Sequence, residues 1–235
     1  MIFDDPRLIC GFSRKPQNMS FVHGATAESL ENRKDFLQTK SINYQGVVCL
    51  RQVHGDRIIR AEEDDRGKGA LSQENSLADA DALVTNVRGL PLAVFTADCL
   101  SIFLFDPQSL VVGIVHAGWR GTKSRIAAKA VLLLQKEFNL DPQSVFVGFG
   151  PAIRQCCYSV GEELAGDFGE FVVKREGTFY FDLARANHQQ LCQAGIKQAN
   201  IADCGICTFC STKEFFSYRR DKQGCGRSMS VIMLK

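Results

Sequence analysis

The sequence predicts a single domain of mixed α/β class. Eight short apolar runs, rich in Val, Ile and Phe, are typical of β-strands. Three longer segments have the apolar spacing of amphipathic helices. The 235 residues contain no internal repeat, low-complexity tract or Pro- and Ser-rich linker, so we expect one folding unit over residues 1–235.

The strands and helices alternate irregularly along the chain. Turns join some strands and helices join others, which argues against a purely parallel sheet. The helix at 124–138 is the clearest, since its apolar residues form one stripe that stops before Pro142. The polar segment 62–75 is predicted to be a mobile surface loop. The predicted strands are 46–52, 82–86, 92–97, 101–105, 110–115, 145–149, 215–218 and 230–234, and the predicted helices are 25–38, 124–138 and 183–194.

Charge and hydropathy exclude several kinds of partner. Lys and Arg number 28 against 26 Asp and Glu, so the net charge of +2 predicts neither a nucleic-acid nor an anionic-membrane partner. The longest apolar stretch, residues 90–105, is interrupted by polar residues and is shorter than the ~20 apolar residues of a membrane helix. The first residues, MIFDDPR, carry acids where an export signal needs positive charge. We therefore expect a cytoplasmic protein.

Ten cysteines raise the question of disulfides or metal sites. In the cytoplasm thiols stay reduced, and most free cysteines are buried packing residues. Cys204, Cys207 and Cys210, with Cys225 downstream, resemble part of a zinc or iron–sulfur pattern. In an extended segment, however, Cys207 would point away from the other two, so one ion cannot bind all three. We expect buried or redox-sensitive thiols there, and packing roles for the pair at 156–157.

A β-hairpin is predicted over residues 100–116, around a Pro-containing four-residue turn. If Asp106 pairs with Ser109, the two residue numbers of every facing pair in the hairpin add up to 215. Cys99 then faces His116, with Cβ atoms roughly 4.5–5.5 Å apart. A bulge at the proline is the alternative, and it would shift this register. The predicted distance suits two ligands of one metal ion or a thiolate–imidazolium pair.

His54 also stands at the end of a predicted strand and is followed by Gly55. Two histidines and one cysteine make a three-ligand site with an open fourth position, which is typical of catalytic zinc. The four histidines of the chain are few, so each is informative. The alternative is that His54 and His116 are hydrogen-bonded loop residues and that Cys99 belongs to the core.

Two arginine-containing segments are candidate anion sites. The glycine-rich turn at 116–122 leads into the predicted helix, and its free N–H groups together with Arg120 suit a phosphate or carboxylate. Alternatively, Thr122 or Ser124 caps the helix and Arg120 is solvated. Near the C-terminus, residues 219–227 carry three arginines, which form either a solvated face or an arginine-lined pocket.

Six ordered motifs resemble the YfiH-type laccase-domain family, over nearly the whole chain. They are QVHG (52–55), ADALVT (80–85), ADC (97–99), HAGWRGT (116–122), GPAI with YSVG (150–161) and FFSYRRD (215–221). The resemblance implies a layered α/β/β/α sandwich of mixed sheets. It also implies a zinc-dependent purine nucleoside phosphorylase, acting on adenosine, inosine, guanosine or methylthioadenosine, that can also deaminate adenosine.

The resemblance assigns His54, Cys99 and His116 as ligands of one Zn²⁺ per chain. Phosphate would attack the anomeric carbon of the ribose, held in part by Arg120. Asp98 would orient a histidine or act as a base. The residues expected to contact substrate or phosphate are Gln52, Arg120, Gly121, Thr122, Arg219 and Arg220.

Three other functions were weighed on the same residues. Cys99 activated by His116 would make a cysteine hydrolase without metal. A metal- or thiol-sensing regulatory protein would bind zinc without turnover. A multicopper oxidase is excluded, because four histidines cannot supply a blue-copper site and a copper cluster. The sequence leaves both a monomer and a homodimer open.

Overall fold

Two mixed β-sheets pack face to face between layers of helices. The structure is a computed structural model that describes residues 3–24 and 26–235. The strands are β1 (Leu8–Phe12), β2 (Val48–Cys49), β3 (Ile58–Arg60), β4 (Ala82–Thr85), β5 (Leu92–Thr96), β6 (Leu100–Asp106), β7 (Val111–Ala117), β8 (Phe146–Phe149), β9 (Ser159–Val160), β10 (Val172–Arg175), β11 (Thr178–Phe181), β12 (Ile201–Asp203) and β13 (Ser228–Leu234). The helices are α1 (Thr26–Gln38), α2 (Trp119–Lys123), α3 (Ile126–Phe138), α4 (Glu162–Phe168), α5 (Leu183–Gln193) and α6 (Tyr218–Asp221).

The larger sheet has six strands in the order β12-β8-β6-β7-β4-β3, and the smaller has four in the order β1-β13-β5-β2. Each contains parallel and antiparallel neighbours. A three-stranded sheet, β10-β11-β9, lies beside them. The mixed pairing agrees with the predicted class.

The side chains of β6 point alternately into two different cores, which explains why the residues on both faces of this strand are apolar. Ile102 and Leu104 pack in the core that includes residues of α3 and α5. Phe103 and Phe105 point the opposite way, into the core between the sheets. A third core joins α1 to the four-stranded sheet. The resulting layers are α/β/β/α, as expected from the resemblance.

The described elements confirm most of the predicted strands and correct others. The predicted strand at 215–218 is wrong, because residues 215–217 are irregular and α6 begins at Tyr218. The strand at 46–52 is reduced to β2, and the helix at 124–138 begins only after Arg125, which has a left-handed φ of 62°. Ala25, the first residue of the predicted helix 25–38, lies outside the described residues. Within residues 3–24 and 26–235, no helix is both long and apolar enough to cross a bilayer.

The register of the β6–β7 hairpin differs from the predicted one by two residues. Asp106 pairs with Val111, and Ser101 rather than Cys99 pairs with His116. The turn contains four residues after Asp106 because Leu110 takes a left-handed φ of 52°. A shift of two leaves each side chain on its predicted face, so Cys99 becomes a diagonal neighbour of His116.

Candidate metal centre

His54, Cys99 and His116 converge where three strands end. His54 lies in the turn after β2, Cys99 follows β5, and His116 is the penultimate residue of β7. Their candidate ligand atoms, one per residue, all lie within 4.8 Å of one another. The turns that carry the first two residues are unusual, since His54 and Asp98 have positive φ angles of 60° and 92°. The predicted triplet is therefore brought together in space.

Asp81, at the start of β4, orients two of these residues. Its fully buried carboxylate accepts a hydrogen bond from Nδ1 of His116 at 2.7 Å. It also accepts from the backbone N–H groups of His54 and Gly55, at 3.0 and 2.6 Å. Because Nδ1 is engaged with Asp81, His116 presents its other ring nitrogen, Nε2, to the side chains of His54 and Cys99. The same carboxylate stabilises the left-handed turn at His54.

Sequence reasoning gave Asp81 no role, although it lies in a quoted motif. The available signal was an acid directly before the apolar strand β4, since a buried carboxylate needs hydrogen-bond partners. Burial raises the pKa of this carboxyl, but the hydrogen bonds and charge of His116 and the backbone bonds outweigh it and lower the pKa. Asp81 is therefore ionised at neutral pH.

Cys99 and His116 stabilise each other's charged form. Burial opposes the thiolate, but the charge and hydrogen bonds of His116 and His54 lower the pKa of Cys99 to about 6. Burial likewise opposes the imidazolium, yet Cys99 and Asp81 raise the pKa of His116 to about 9. Without metal, the pair is thus a thiolate beside an imidazolium at neutral pH.

The donor set and its surroundings fit one metal ion. One sulfur and two imidazole nitrogens are zinc ligands, and donors around a tetrahedral zinc lie about 3 to 4 Å apart. The space beside them is kept by Gly118, where a Cβ would lie 3.0 Å from Cys99 Sγ and 3.3 Å from the His54 ring. Three protein donors leave a fourth position for a reactant.

The three donors line a cavity of about 630 Å³. One wall contains the buried Arg33, whose guanidinium lies 3.5 and 4.4 Å from the ring centroids of Phe21 and Phe95. Burial lowers the pKa of Arg33 to about 10, so it remains charged at neutral pH. Other polar residues of the lining include Gln52, Asp98, Arg120, Tyr158, Arg219 and Arg227. Four arginines make this cavity suited to an anionic ligand.

Asp98 lines the cavity, but both of its oxygens are engaged. One accepts from the Thr208 hydroxyl and the other from the backbone N–H of Arg219, each at 2.6 Å. Of the two roles expected for Asp98, orienting a histidine belongs instead to Asp81. Asp98 joins the loop of Cys99 to the segments at 208 and 219.

The HAGWRGT segment splits between cavity and core. Arg120 is exposed and lines the cavity. Gly121 and Thr122 do not line it. A Cβ at Gly121 would lie 2.9 Å from the Gly55 carbonyl oxygen, and the fully buried Thr122 hydroxyl accepts from Asn187. The expectation that Gly121 and Thr122 contact phosphate is therefore wrong.

The start of this helix also differs from expectation. Gly118 occupies the N-cap position and α2 begins at Trp119, so neither Thr122 nor Ser124 caps it. The left-handed Arg125 then separates α2 from α3. Because α2 begins earlier than predicted, Gly121 and Thr122 lie on its buried face.

The two neighbouring arginines of α6 have different surroundings. Arg219 lines the cavity and donates to the carbonyl and hydroxyl oxygens of Ser159, at 2.6 and 3.0 Å. Arg220 instead donates to the carbonyls of Thr208, Phe209 and Phe215, each at 2.9 Å, and does not line the cavity. The expectation of a substrate contact is thus contradicted for Arg220.

Gln52 lines the cavity, but its amide is bound to β5. It donates to the Phe95 carbonyl at 2.9 Å and accepts from the Phe95 N–H at 2.7 Å. The side chain extends the parallel pairing of β2 with β5 beyond Cys49. Its amide therefore supports the loop that carries His54.

Comparison with known proteins places this arrangement in context. Residues 10–235 match a family described as multi-copper polyphenol oxidoreductase laccase. The chain is 34% identical over 212 residues to purine nucleoside phosphorylase YlmD of Geobacillus stearothermophilus, covering 86% of this chain and 77% of that protein. It is also 34% identical to adenosine deaminase RL5 from an unknown prokaryotic organism, covering 88% and 82%. The crystal structure of the hypothetical protein YfiH from Bacillus licheniformis superposes with a TM-score of 0.93 at 31% identity, covering 97% and 93%.

Proposed function

Because the chain belongs to the multi-copper polyphenol oxidoreductase laccase family, we propose, from its relatives and its own site, that it is a zinc-dependent purine nucleoside phosphorylase. The observation that carries the proposal is the placement of His54, Cys99 and His116 in the wall of an arginine-lined cavity. Such a cavity suits a nucleoside together with phosphate, because phosphate carries more than one negative charge. The relatives named as phosphorylase and deaminase support an enzyme.

Phosphorolysis requires phosphate and nucleoside to be held side by side. A phosphate oxygen forms a bond to C1′ of the ribose as the bond from C1′ to the base nitrogen breaks, and the base takes up a proton. Arg120 is exposed in the cavity, and we assign it to the phosphate. Arg219 borders the same space, where its charge favours the anion. When bound, zinc supplies a Lewis acid that stabilises negative charge on an oxygen.

The remaining residues position these groups. Asp81 holds His116 with Nε2 toward the ion, and Asp98 fixes the backbone of Arg219 beside the loop of Cys99. Both oxygens of Asp98 already accept hydrogen bonds, so we assign it a positioning role rather than that of a base. The aromatic rings of Tyr158 and Phe95 offer apolar surface for a purine.

Copper oxidase chemistry, which the family description suggests, does not fit the histidines. His188 lies on α5 beside Cys192, and His23 contacts Arg227. Neither belongs to the group formed by His54 and His116. A trinuclear copper cluster needs several more imidazoles than this centre provides.

Adenosine deamination is the second candidate activity, favoured by the likeness to the relative named adenosine deaminase RL5. In this reaction water replaces the amino group at C6 of the purine, and ammonia and inosine are released. It would use the same cavity, where a zinc ion held by His54, Cys99 and His116 would activate the water.

One assay separates these activities. Purified protein is incubated with adenosine or inosine, with and without phosphate, and the products are resolved. Free base with ribose 1-phosphate, formed only with phosphate, supports phosphorolysis, and inosine formed from adenosine without phosphate supports deamination. No turnover of either nucleoside by zinc-loaded protein would overturn the proposal.

The variant Cys99→Ala distinguishes the metal enzyme from the other two functions. We expect it to lose both zinc at this centre and turnover while staying folded. Turnover by Cys99→Ala protein free of metal would contradict the assignment. Wild-type protein that is active without metal would instead support the cysteine hydrolase, and zinc binding without turnover would support a sensor.

A further inference from the structure

Four cysteines outside the cavity form a second group of candidate metal ligands. Cys156, Cys157, Cys207 and Cys210 place their sulfurs within 4.8 Å of one another. The Cys210 sulfur lies 3.9 Å from that of Cys156 and 3.3 Å from that of Cys157. None of the four lines the cavity described above. The expectation that Cys207 and Cys210 point to opposite sides is therefore wrong, because their sulfurs belong to one group.

Two tight turns bring these residues together. In the first, the N–H groups of Cys157 and Tyr158 both donate to the Arg154 carbonyl at 2.9 Å. In the second, the Ser211 N–H donates to the Cys207 carbonyl at 3.0 Å, which curls the Cys-x-x-Cys segment. The turns are held side by side by a parallel bridge between Ala152 and Cys207.

The curled segment explains why the expected alternation of side chains fails. Only Ile201–Asp203 forms a strand, and Gly205 has a left-handed φ of 70°. Beyond this glycine, the turn directs Cys207 and Cys210 to the same side. Cys204 precedes it and is not part of the group.

The distances between the sulfurs fit one bound metal ion better than an iron–sulfur cluster. With a zinc–sulfur bond of about 2.3 Å, the sulfurs of a tetrahedral site lie about 3.8 Å apart. The two measured separations, 3.9 and 3.3 Å, are close to this value. An iron–sulfur cluster would have to place several iron and sulfide atoms between sulfurs that are at most 4.8 Å apart. Tetrahedral sites of four thiolates are typical of zinc.

Electrostatics limit how many of the four thiols can ionise without a cation. Burial and the neighbouring cysteines raise the pKa of Cys156 to about 11, and they raise that of Cys157 as well. Burial opposes ionisation of Cys207 too, but backbone hydrogen bonds from Cys210 and Arg154 lower its pKa. Four thiols this close cannot ionise together unless a cation offsets their charge.

We propose that Cys156, Cys157, Cys207 and Cys210 bind a second zinc ion, in a closed structural site. On binding, Zn²⁺ forms four bonds to sulfur and four thiol protons pass to solvent. No oxidation takes place, and the site keeps no open position for a reactant.

The location suggests what this ion does. Tyr158 follows Cys157 directly and lines the cavity, and Thr208 follows Cys207 and donates to Asp98. The ion would therefore join the two segments that support the wall around Arg219 and the loop of Cys99. Its role is to position these segments, and it does not depend on which nucleoside reaction the cavity performs.

Metal content of the full chain tests the proposal directly. Protein purified under reducing conditions is expected to contain two zinc ions per chain, and Cys99→Ala to contain one. Cys207→Ser and Cys210→Ser should also contain one, whereas the matched control Cys204→Ser should keep two. A single zinc in the wild type that is lost in Cys99→Ala, or equal loss in Cys204→Ser, would overturn the second site, whereas a single zinc that persists in Cys99→Ala and is lost in Cys210→Ser would instead show that the first centre is empty. Iron at the four thiols would overturn the choice of zinc.

Cobalt substitution checks the ligands without relying on activity. Co²⁺ added to metal-free Cys99→Ala protein should give the visible bands of a tetrahedral site and strong thiolate charge-transfer absorption. Both signals should vanish in the double variant that carries Cys99→Ala and Cys210→Ser. Cys210 is exposed, so this variant guards against a Cys207→Ser protein that does not fold. Absence of the bands from folded Cys99→Ala would overturn the proposal, as would a mass lower by two hydrogens that shows a disulfide among the four cysteines.

Discussion

Asp81 and His116 are joined at two points. The Asp81 carboxylate accepts from the imidazole Nδ1, and the Asp81 carbonyl accepts from the His116 backbone N–H, both at 2.7 Å. Both side chains are buried. Strands β4 and β7 thereby fix the orientation of the ring before any ion binds.

Replacing Asp81 is expected to weaken zinc binding at the first centre. In Asp81→Asn the ring loses its charged partner and the turn at His54 loses an acceptor, so affinity should fall roughly 10- to 100-fold. Zinc affinity is measured by competition with a chelator, in a Cys207→Ser background so that only this centre is counted. Asp79→Asn, an exposed acid two residues away, is the control. Equal affinities for the two variants would contradict the role of Asp81.

Gly118→Ala should disable the centre without strain in the backbone. The φ of Gly118 is −81°, which alanine adopts freely, but the new Cβ would press on Cys99 Sγ and the His54 ring. A displacement of the reacting groups by about 1 Å can cost on the order of 100-fold in rate. Turnover and thermal unfolding are both measured.

Gly161→Ala is the matched control for this change. Gly161 is also a helix N-cap, with φ −76°, and nothing lies within 4 Å of its added Cβ. It should retain activity and stability. If Gly118→Ala retains zinc affinity and rate as Gly161→Ala does, the space beside Cys99 is not needed.

The alkylation of Cys99 in the metal-free protein should depend on pH with a midpoint near 6. Because the pKa of Cys99 is lowered to about 6, the reactive thiolate forms as the pH rises through that value. His116→Gln removes the main stabilising charge, so the midpoint should move up toward the ordinary value of about 8.5. Peptide mass spectrometry after iodoacetamide pulses follows each cysteine separately.

Cys192 gives the internal reference for this experiment. Burial raises its pKa, so its alkylation should begin at higher pH than that of Cys99. Added zinc should protect Cys99 at neutral and higher pH, where the thiolate is available to bind it. A Cys99 profile that coincides with that of Cys192 would show that the two imidazoles do not stabilise the thiolate.

Arg120→Gln is expected to reduce the response to phosphate. Loss of a charge-assisted hydrogen bond of about 1.5–3 kcal/mol corresponds to roughly 10- to 100-fold in kcat/KM for phosphate. The zinc content should be unchanged, since Arg120 is not a ligand. Lys123→Gln, which removes a charge of the same helix that is paired with Asp167, should leave the phosphate response intact. A KM for phosphate that is the same in both variants would remove Arg120 from the phosphate site.

The convergence of the three candidate metal donors could be predicted because their signals are local. His54, Cys99 and His116 each lie just beyond the end of a predicted strand, and histidine is rare in this chain. The register error at the hairpin did not affect the result, because a shift by two residues preserves the face of the sheet. The predicted proximity of Cys99 and His116 is confirmed, although they are not directly opposite.

The remaining features depend on contacts between distant segments. Asp81 meets His116 across two strands that are separated by 35 residues, and Cys157 meets Cys210 across 53. The predicted phosphate contact of Thr122 depends on a helix that begins near residue 124. The helix begins at Trp119 instead, and a change of a few residues exchanges the interior face of a helix for its exposed face. Neither periodicity nor spacing contains this information.

The amide of Gln52 ties the loop of His54 to the strand that leads into Cys99. The candidate ligands His54 and Cys99, which come from different parts of the chain, are thus held by the same strand. Asp81 connects His116 to the loop of His54. The apoprotein should consequently hold these three side chains in the arrangement that an ion requires. Exchange of one ion for another at this centre would then be limited by ligand protonation and access, without a refolding step.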